Sequence, residues 1–480
     1  MKHIYIIGLL FLLSITASSC KKFVEVAPPK NQLATNNIFN DNGTANSAIF
    51  AIYSQMVSGN ASPYTIPFTT GITGDELTNN ISLTLDIYTN SIDPVNSTAN
   101  SIWTSAYNFI YQANAIFEGC SSSTLLDPDV KKQLMAEAMF IRAYWHFYLV
   151  NLYGDIPLAT STDYTKNSLA VRTPSNLVYD QIITDLKYAQ ANLNEKYIAA
   201  DGITQNEERA RPNSSTATAL LSRVYLYVGK YSDAEAQANT IINNTSLYSL
   251  VPLDAVFLKN SSEAIWQLMP VNNSLINTIE GNNFIPENST PVIEGKPTLS
   301  PQLLNSFEGG DLRRSHWIGQ FIDTSVIPNV NYYYPYKYKI RFGSGYAEYS
   351  MIFRLSEQYL IRAEARNEQN NIIGAISDLN IIRTRARGFS TPDVPNPLPD
   401  YTVLTSKEAL KAAILQERRV ELFTEQGHRW FDLKRTGEVN GVMTVVTPLK
   451  GGTWSNNMDL WPIPQSELLN DPKLTQNQGY

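Results

Sequence analysis

The chain has 480 residues, with 37 Lys and Arg against 44 Asp and Glu, a net charge of −7 and 43% hydrophobic residues. That length holds about two to four average domains or one large repeat assembly, and the hydrophobic share excludes wholesale disorder. The acidic balance gives none of the basic footprint that nucleic-acid binding needs. Charged residues reach only 17% while Tyr alone counts 27, a composition suited to neutral polar ligands rather than ionic ones.

In chain order, residues 1–19 read as an export signal. Lys2 is followed by an apolar run from Ile4 to Leu13, too short to span a bilayer. Small residues then lead to Cys20, which resembles a bacterial lipoprotein signal and implies cleavage before Cys20 and lipidation of that cysteine. Acylation with more than one chain is sufficient for stable anchoring. Residues 20–43 form a tether containing paired prolines. With Cys20 lipidated, Cys120 has no partner, so no disulfide framework is expected, and the four scattered histidines give no zinc spacing.

Residues 44–250 carry helical periodicity over 44–56, 99–117, 130–152, 176–193 and 217–242. Ala217, Leu221, Val224 and Val228 form one apolar stripe, Gly229 breaks it, and Ala234, Ala238 and Ile241 begin another. The string GKYSDA resembles the turn of a tetratricopeptide repeat. Residues 251–345 lose this periodicity to prolines, glycines, asparagines and short β-prone runs such as AIWQLM. Helical patterning returns in 346–480, over 353–387 and 407–425, the latter opened by a Thr405-x-x-Glu408 capping box. The expected fold is mainly α: stacked tetratricopeptide-like helix pairs form a scaffold, and an irregular insert with short strands carries the ligand. No half of such a pair buries its stripe alone, so the pairs must stack.

Five strings then carry a resemblance: EAMFIRAYWHFYLVNLYGDIPL (137–158), FRLSEQYLIRAEARN (353–367), ISDLNIIRTRARG (376–388), ILQERRVELFTEQGHRWFDLKRTG (414–437) and LWPIPQSELLNDPKLTQNQGY (460–480). Together with the lipoprotein start they resemble the SusD/RagB family of outer-membrane nutrient-binding lipoproteins. The resemblance implies a non-catalytic, lipid-anchored protein of the outer membrane, facing outside. It would bind oligosaccharides, or alternatively peptides, and deliver them to a SusC-like TonB-dependent barrel without any cofactor. A glycoside hydrolase and a tetratricopeptide adaptor for protein tails are the rival readings.

The densest charge cluster, Glu417, Arg418, Arg419, Glu421, Glu425, His428, Arg429 and Asp432, offers paired carboxylates that could serve glycoside hydrolysis. Interleaved arginines lower carboxylate pKa values, the wrong direction for a general acid, so structural ion pairing is expected. Arg142, Arg354, Arg362 and Glu364 are expected to pair in the interior, His146 to be a core histidine bonded to backbone, and Trp103 to pack between helices. Sugars need flat aromatic surfaces flanked by amides and carboxylates. Three irregular segments supply them: 74–88, 272–288 and 316–338. The candidate ligand residues are Asp75, Asn79, Asn80, Tyr88, Phe284, Trp317, Tyr332, Tyr333, Tyr334 and Tyr336. On a strand, only alternate tyrosines of the last run could meet one ligand. No metal ligand or catalytic residue is expected.

Overall fold

A computed structural model describes residues 38–271, 276–343 and 345–480. Residues 1–37 fall outside it, and with them the signal, Cys20 and most of the tether.

The helices begin where local chemistry satisfies their free N–H groups. In α1 (Asn42–Ser58) the Asp41 carboxylate accepts from the Thr44 N–H at 3.0 Å. A buried helix, α2 (Thr65–Thr73), follows and leads into the short strand β1 (Leu77–Thr78). Sequence periodicity misses α2, because Pro67, Gly71 and four threonines mask a nine-residue helix buried on nearly every side. Asn96 caps α3 (Ser97–Ser122), and Asp127 with Pro128 opens α4 (Pro128–Tyr153).

α4 is the axis of the core. From Ala136 to Val150 every side chain is buried, as expected of a helix enclosed on all sides. α3 lies on one flank and α5 (Ser175–Asn192) on the other. Next come α6 (Ser214–Tyr227) and α7 (Tyr231–Ile242), joined by Gly229 at φ +70°. Ala234, Ala238 and Ile241 of α7 are buried as the stripe predicts.

The chain then leaves the helical stack for a loop-rich stretch. Here β2 (Ala264–Leu268), α8 (Ile279–Phe284), β3 (Thr298–Leu299) and the hairpin β4 (Ile318–Asp323) and β5 (Val330–Pro335) precede β6 (Ser350–Arg354). β2 and β6 pair antiparallel, and both are wholly buried. Trp266 and Phe353 from this pair stack at 6.0 Å, and Trp266 meets Phe140 of α4 edge-on at 5.1 Å.

The stack resumes with α9 (Leu355–Glu368), which packs directly against α7, so the two helical blocks form one continuous array despite the intervening residues. α10 (Ile372–Ala386) pairs with α9, and α11 (Lys407–Glu421) packs on both. α12 (His428–Arg435) and α13 (Val439–Leu449) close the array. The expected mainly α fold is present. The capping residue of α11 is corrected: Ser406, not Thr405, accepts from the Ala409 N–H.

The predicted interior pairs form. Arg142 grips Asp185 through two bonds of 2.7 and 2.6 Å, Arg362 does the same to Asp378, and Glu364 receives Arg435. Trp103 is buried edge-on to Tyr153 at 4.9 Å. Cys120 is buried, and burial pushes its thiol up to about 12. His146 is buried too, and burial first, then the nearby Arg142 charge, pushes its pKa down to about 3. The Arg142 carbonyl acts on the ring as a backbone partner and offsets a little of that fall, although neither ring nitrogen reaches full hydrogen-bond geometry with any described residue.

Candidate functional site

The three predicted segments meet. β1 pairs antiparallel with β3, and β3 lies alongside β5. The Asn80 amide donates to the Lys296 carbonyl at 2.7 Å, and Lys296 in turn donates to the Asn282 carbonyl. Residues distant in sequence therefore share one face of irregular backbone over the helical scaffold.

The tyrosine-rich hairpin divides as its register dictates. Gly319 opposes Tyr334, Gln320 opposes Tyr333 and Phe321 opposes Tyr332. Tyr334 lies flat across Gly319; a methyl group there would sit 2.3 Å from the ring, so only glycine allows this approach. Tyr336 meets Tyr334 edge-on at 5.9 Å, and the Lys339 ammonium lies 4.2 Å from the Tyr336 ring centre. Tyr332 shares the face of Tyr334, whereas Tyr333 turns inward, packs on the core and carries the Arg314 guanidinium 6.0 Å over its ring.

Several other candidates are structural. Trp317 is fully buried, and its indole N–H donates to the Leu253 carbonyl at 3.1 Å, so it offers no ring face to a ligand. Asp75 is buried between Arg419 and Arg429, at 2.8 Å from each. Burial alone would raise its pKa, but the arginines hold it below the usual carboxylate value. Phe284 is buried beneath Tyr64, edge-on at 5.0 Å. These three are withdrawn from the ligand set: the signal that selected them, an aromatic or acidic residue in a loop, does not distinguish a support from a contact.

Asn79 spends its amide on the loop, accepting from the Ile81 N–H and the Thr84 hydroxyl and donating to the Ile81 carbonyl. Asn80 and Tyr88 are partly exposed, and Lys450 lies 5.2 Å from the Tyr88 ring centre. Tyr64, which sequence reading passed over, is partly exposed and stacks on Phe68 at 5.1 Å. Its only sequence signal is the four-residue spacing of Tyr64, at the N-terminal cap of α2, from Phe68 within that helix.

Beneath the face lies the charge cluster. Glu421 accepts from Arg354 at 2.6 Å, Arg313 at 2.9 Å, and Arg385; Glu417 binds Arg313 at 2.6 Å and Arg383 at 3.0 Å. Burial would raise Glu421, but the guanidiniums of Arg385, Arg354 and Arg313 hold it well below the carboxylate range. Glu417 moves up instead, because its burial outweighs Arg313 and Arg383. Both carboxylates are sealed from solvent and paired with arginine, an arrangement for ion pairing.

Glu76, in the same layer, has no arginine bonded to its carboxylate among the described residues. It is buried, its Oε1 has no partner, and burial followed by the neighbouring Asp75 charge pushes its pKa up to about 8. The folded protein then holds a proton that the unfolded chain releases near pH 4.5. This contribution is complete below the unfolded value and is lost as pH rises through about 8. Glu76→Gln is expected to lessen the fall in melting temperature between pH 5 and 8, measured by thermal unfolding of both proteins. An unchanged pH slope would place the proton elsewhere.

Two family models match this chain: one described as "Starch-binding associating with outer membrane" over residues 22–226, and one described as "SusD family" over residues 313–480. The chain belongs to the SusD/RagB family. SusD-like protein P2 of Formosa agariphila is 27% identical over 432 residues, covering 80% of this chain and 81% of that protein. Surface glycan-binding protein A from Bacteroides fluxus superimposes with a TM-score of 0.72 at 21% identity, over 92% of this chain and 100% of that one. A laminarin-binding SusD-like protein superimposes with a TM-score of 0.72 at 24% identity, over 91% and 99%. The first of these descriptions associates the family with the outer membrane. Among its described residues no helix is long and apolar enough to cross a membrane.

Proposed function

We propose that this SusD/RagB protein is a non-catalytic lipoprotein on the outside of the outer membrane, anchored by an acylated Cys20. It binds an oligosaccharide on the face shared by the 74–88 loop, the 279–299 segment and the β4–β5 hairpin, and passes it to a SusC-like TonB-dependent barrel. One observation supports this most: Tyr332, Tyr334 and Tyr336 stand on one side of a hairpin, beside amide-rich loops, above a scaffold shared with a laminarin-binding neighbour. Tyrosine rings match the C–H faces of sugars, and hydroxyls and amides match their hydroxyl groups. The buried, arginine-paired Glu417 and Glu421 support the absence of catalysis.

Two or three ring contacts of about 0.5–1.5 kcal/mol each, with a few hydrogen bonds of about 1 kcal/mol, correspond to micromolar to millimolar affinity. That range suits a receptor that must release its cargo. The mature protein is expected to bind carbohydrate in this range by calorimetry, to leave the glycan chain length unchanged, and to leave the membrane fraction when Cys20 is replaced by Ala. Release of reducing ends, or binding of peptides and no carbohydrate, would overturn the reading.

A further inference from the structure

The lysines and Arg341 that border the proposed glycan face are committed to the fold, and the exposed Arg314 sits over Tyr333, whose ring points away from that face, and donates to the Leu304 carbonyl at 2.7 Å. Lys450 Nζ donates to the carbonyls of Ile72, Thr73 and Gly74 at 2.9, 2.8 and 2.9 Å. Lys296 donates to the Asn282 carbonyl, and Lys339 to the carbonyls of His316 and Tyr336. Arg341 lies 3.2 Å from the Glu287 carboxylate, and deeper in, Arg419 and Arg429 are paired with Asp75; the Nε atoms of Arg341 and Arg419 are buried without a partner among the described residues, but the charge of each guanidinium faces a carboxylate.

The carboxylates of the same border are less enclosed. The Glu287 side chain is 53% exposed. Glu294 accepts from the N–H groups of Glu287, Asn288 and Ser289. Although burial works against it, these donors hold its pKa down to about 2, so it stays charged. The hydroxyls of Tyr334 and Tyr336, in contrast, make no hydrogen bond to any described residue.

We infer that the ligand of this face is an uncharged glycan, and that uronate-bearing or sulfated glycans are rejected. This rests on the reading of the protein as a glycan binder. An acidic sugar needs a positive partner. Drawing Lys450 away would strip three carbonyls of their donor, and drawing Arg341 away would leave Glu287 facing the incoming anion. Each exchange trades a satisfied group for an unsatisfied one. Neutral hydroxyls require no such exchange, because the tyrosine hydroxyls stand ready.

An array carrying neutral, uronate-bearing and sulfated oligosaccharides tests the inference. The best neutral binder is then compared by calorimetry with its own C6-oxidised, uronate form. The oxidised form is expected to bind at least tenfold more weakly, with the gap narrowing as salt screens the repulsion. Glu287→Gln should narrow it further at low salt. Equal or tighter binding of the oxidised form, or an array dominated by acidic glycans, would overturn the charge selectivity and leave the glycan-binding reading standing. An array blank for every carbohydrate would overturn both.

Discussion

Arg354→Met is expected to cost about 3–5 kcal/mol of stability, the range found when one member of a buried ion pair is removed. Arg354 at the end of β6 is almost wholly buried and donates to Glu263, Glu421 and Glu425 at 3.0, 2.6 and 2.7 Å. Methionine fills similar space but leaves three carboxylates short of a partner. Arg385 and Arg313 still reach Glu421, and Lys337 still reaches Glu425. Among the described cations Glu263 keeps only Arg385. The loss should appear as a markedly lower melting temperature. Arg314→Met, at an exposed position, should change it by little. Equal melting temperatures for the two variants would mean that the network contributes no net stability.

The second large effect concerns binding. The double variant Tyr334→Ala, Tyr336→Ala is expected to weaken oligosaccharide binding roughly tenfold or more, since two ring contacts of about 0.5–1.5 kcal/mol are lost. Tyr333→Ala removes a ring that faces the core, so it should lower thermal stability more than affinity. Calorimetry and thermal unfolding on both variants separate the two roles. If the inward-facing ring controls affinity while the outward pair does not, the ligand sits elsewhere.

The scaffold was readable from the chain because helix periodicity records burial directly. The stripes at Ala217–Val228 and Ala234–Ile241 became α6 and α7, with the break at Gly229 where a positive φ is needed. The charge cluster was readable too, because alternating acids and bases on one helix have no apolar alternative. Candidate ligand residues were harder to read, and the reason is physical. In a strand, register decides which way a side chain points, and register depends on a partner that local sequence does not name. Tyr333 and Tyr334 are chemically identical neighbours with opposite fates. Trp317 and Asp75 were misplaced because irregular backbone is not always surface backbone: here the loops themselves bury an indole and a carboxylate. Tyr64 was missed because α2 carries residues that favour strands and turns.

The interior lattice of arginines and glutamates also bears on how the molecule assembles. Its members come from Glu263, Arg313, Arg354, Arg385, Glu417 and Glu421, segments far apart along the chain. A partly closed intermediate would strand a charge away from water with no opposite sign beside it, which is among the costliest states a polypeptide can occupy. Closure of the lower layer is therefore expected to be concerted: probes on β6, α10 and α11 should report one coincident unfolding transition, and separate transitions would show that the lattice assembles in stages.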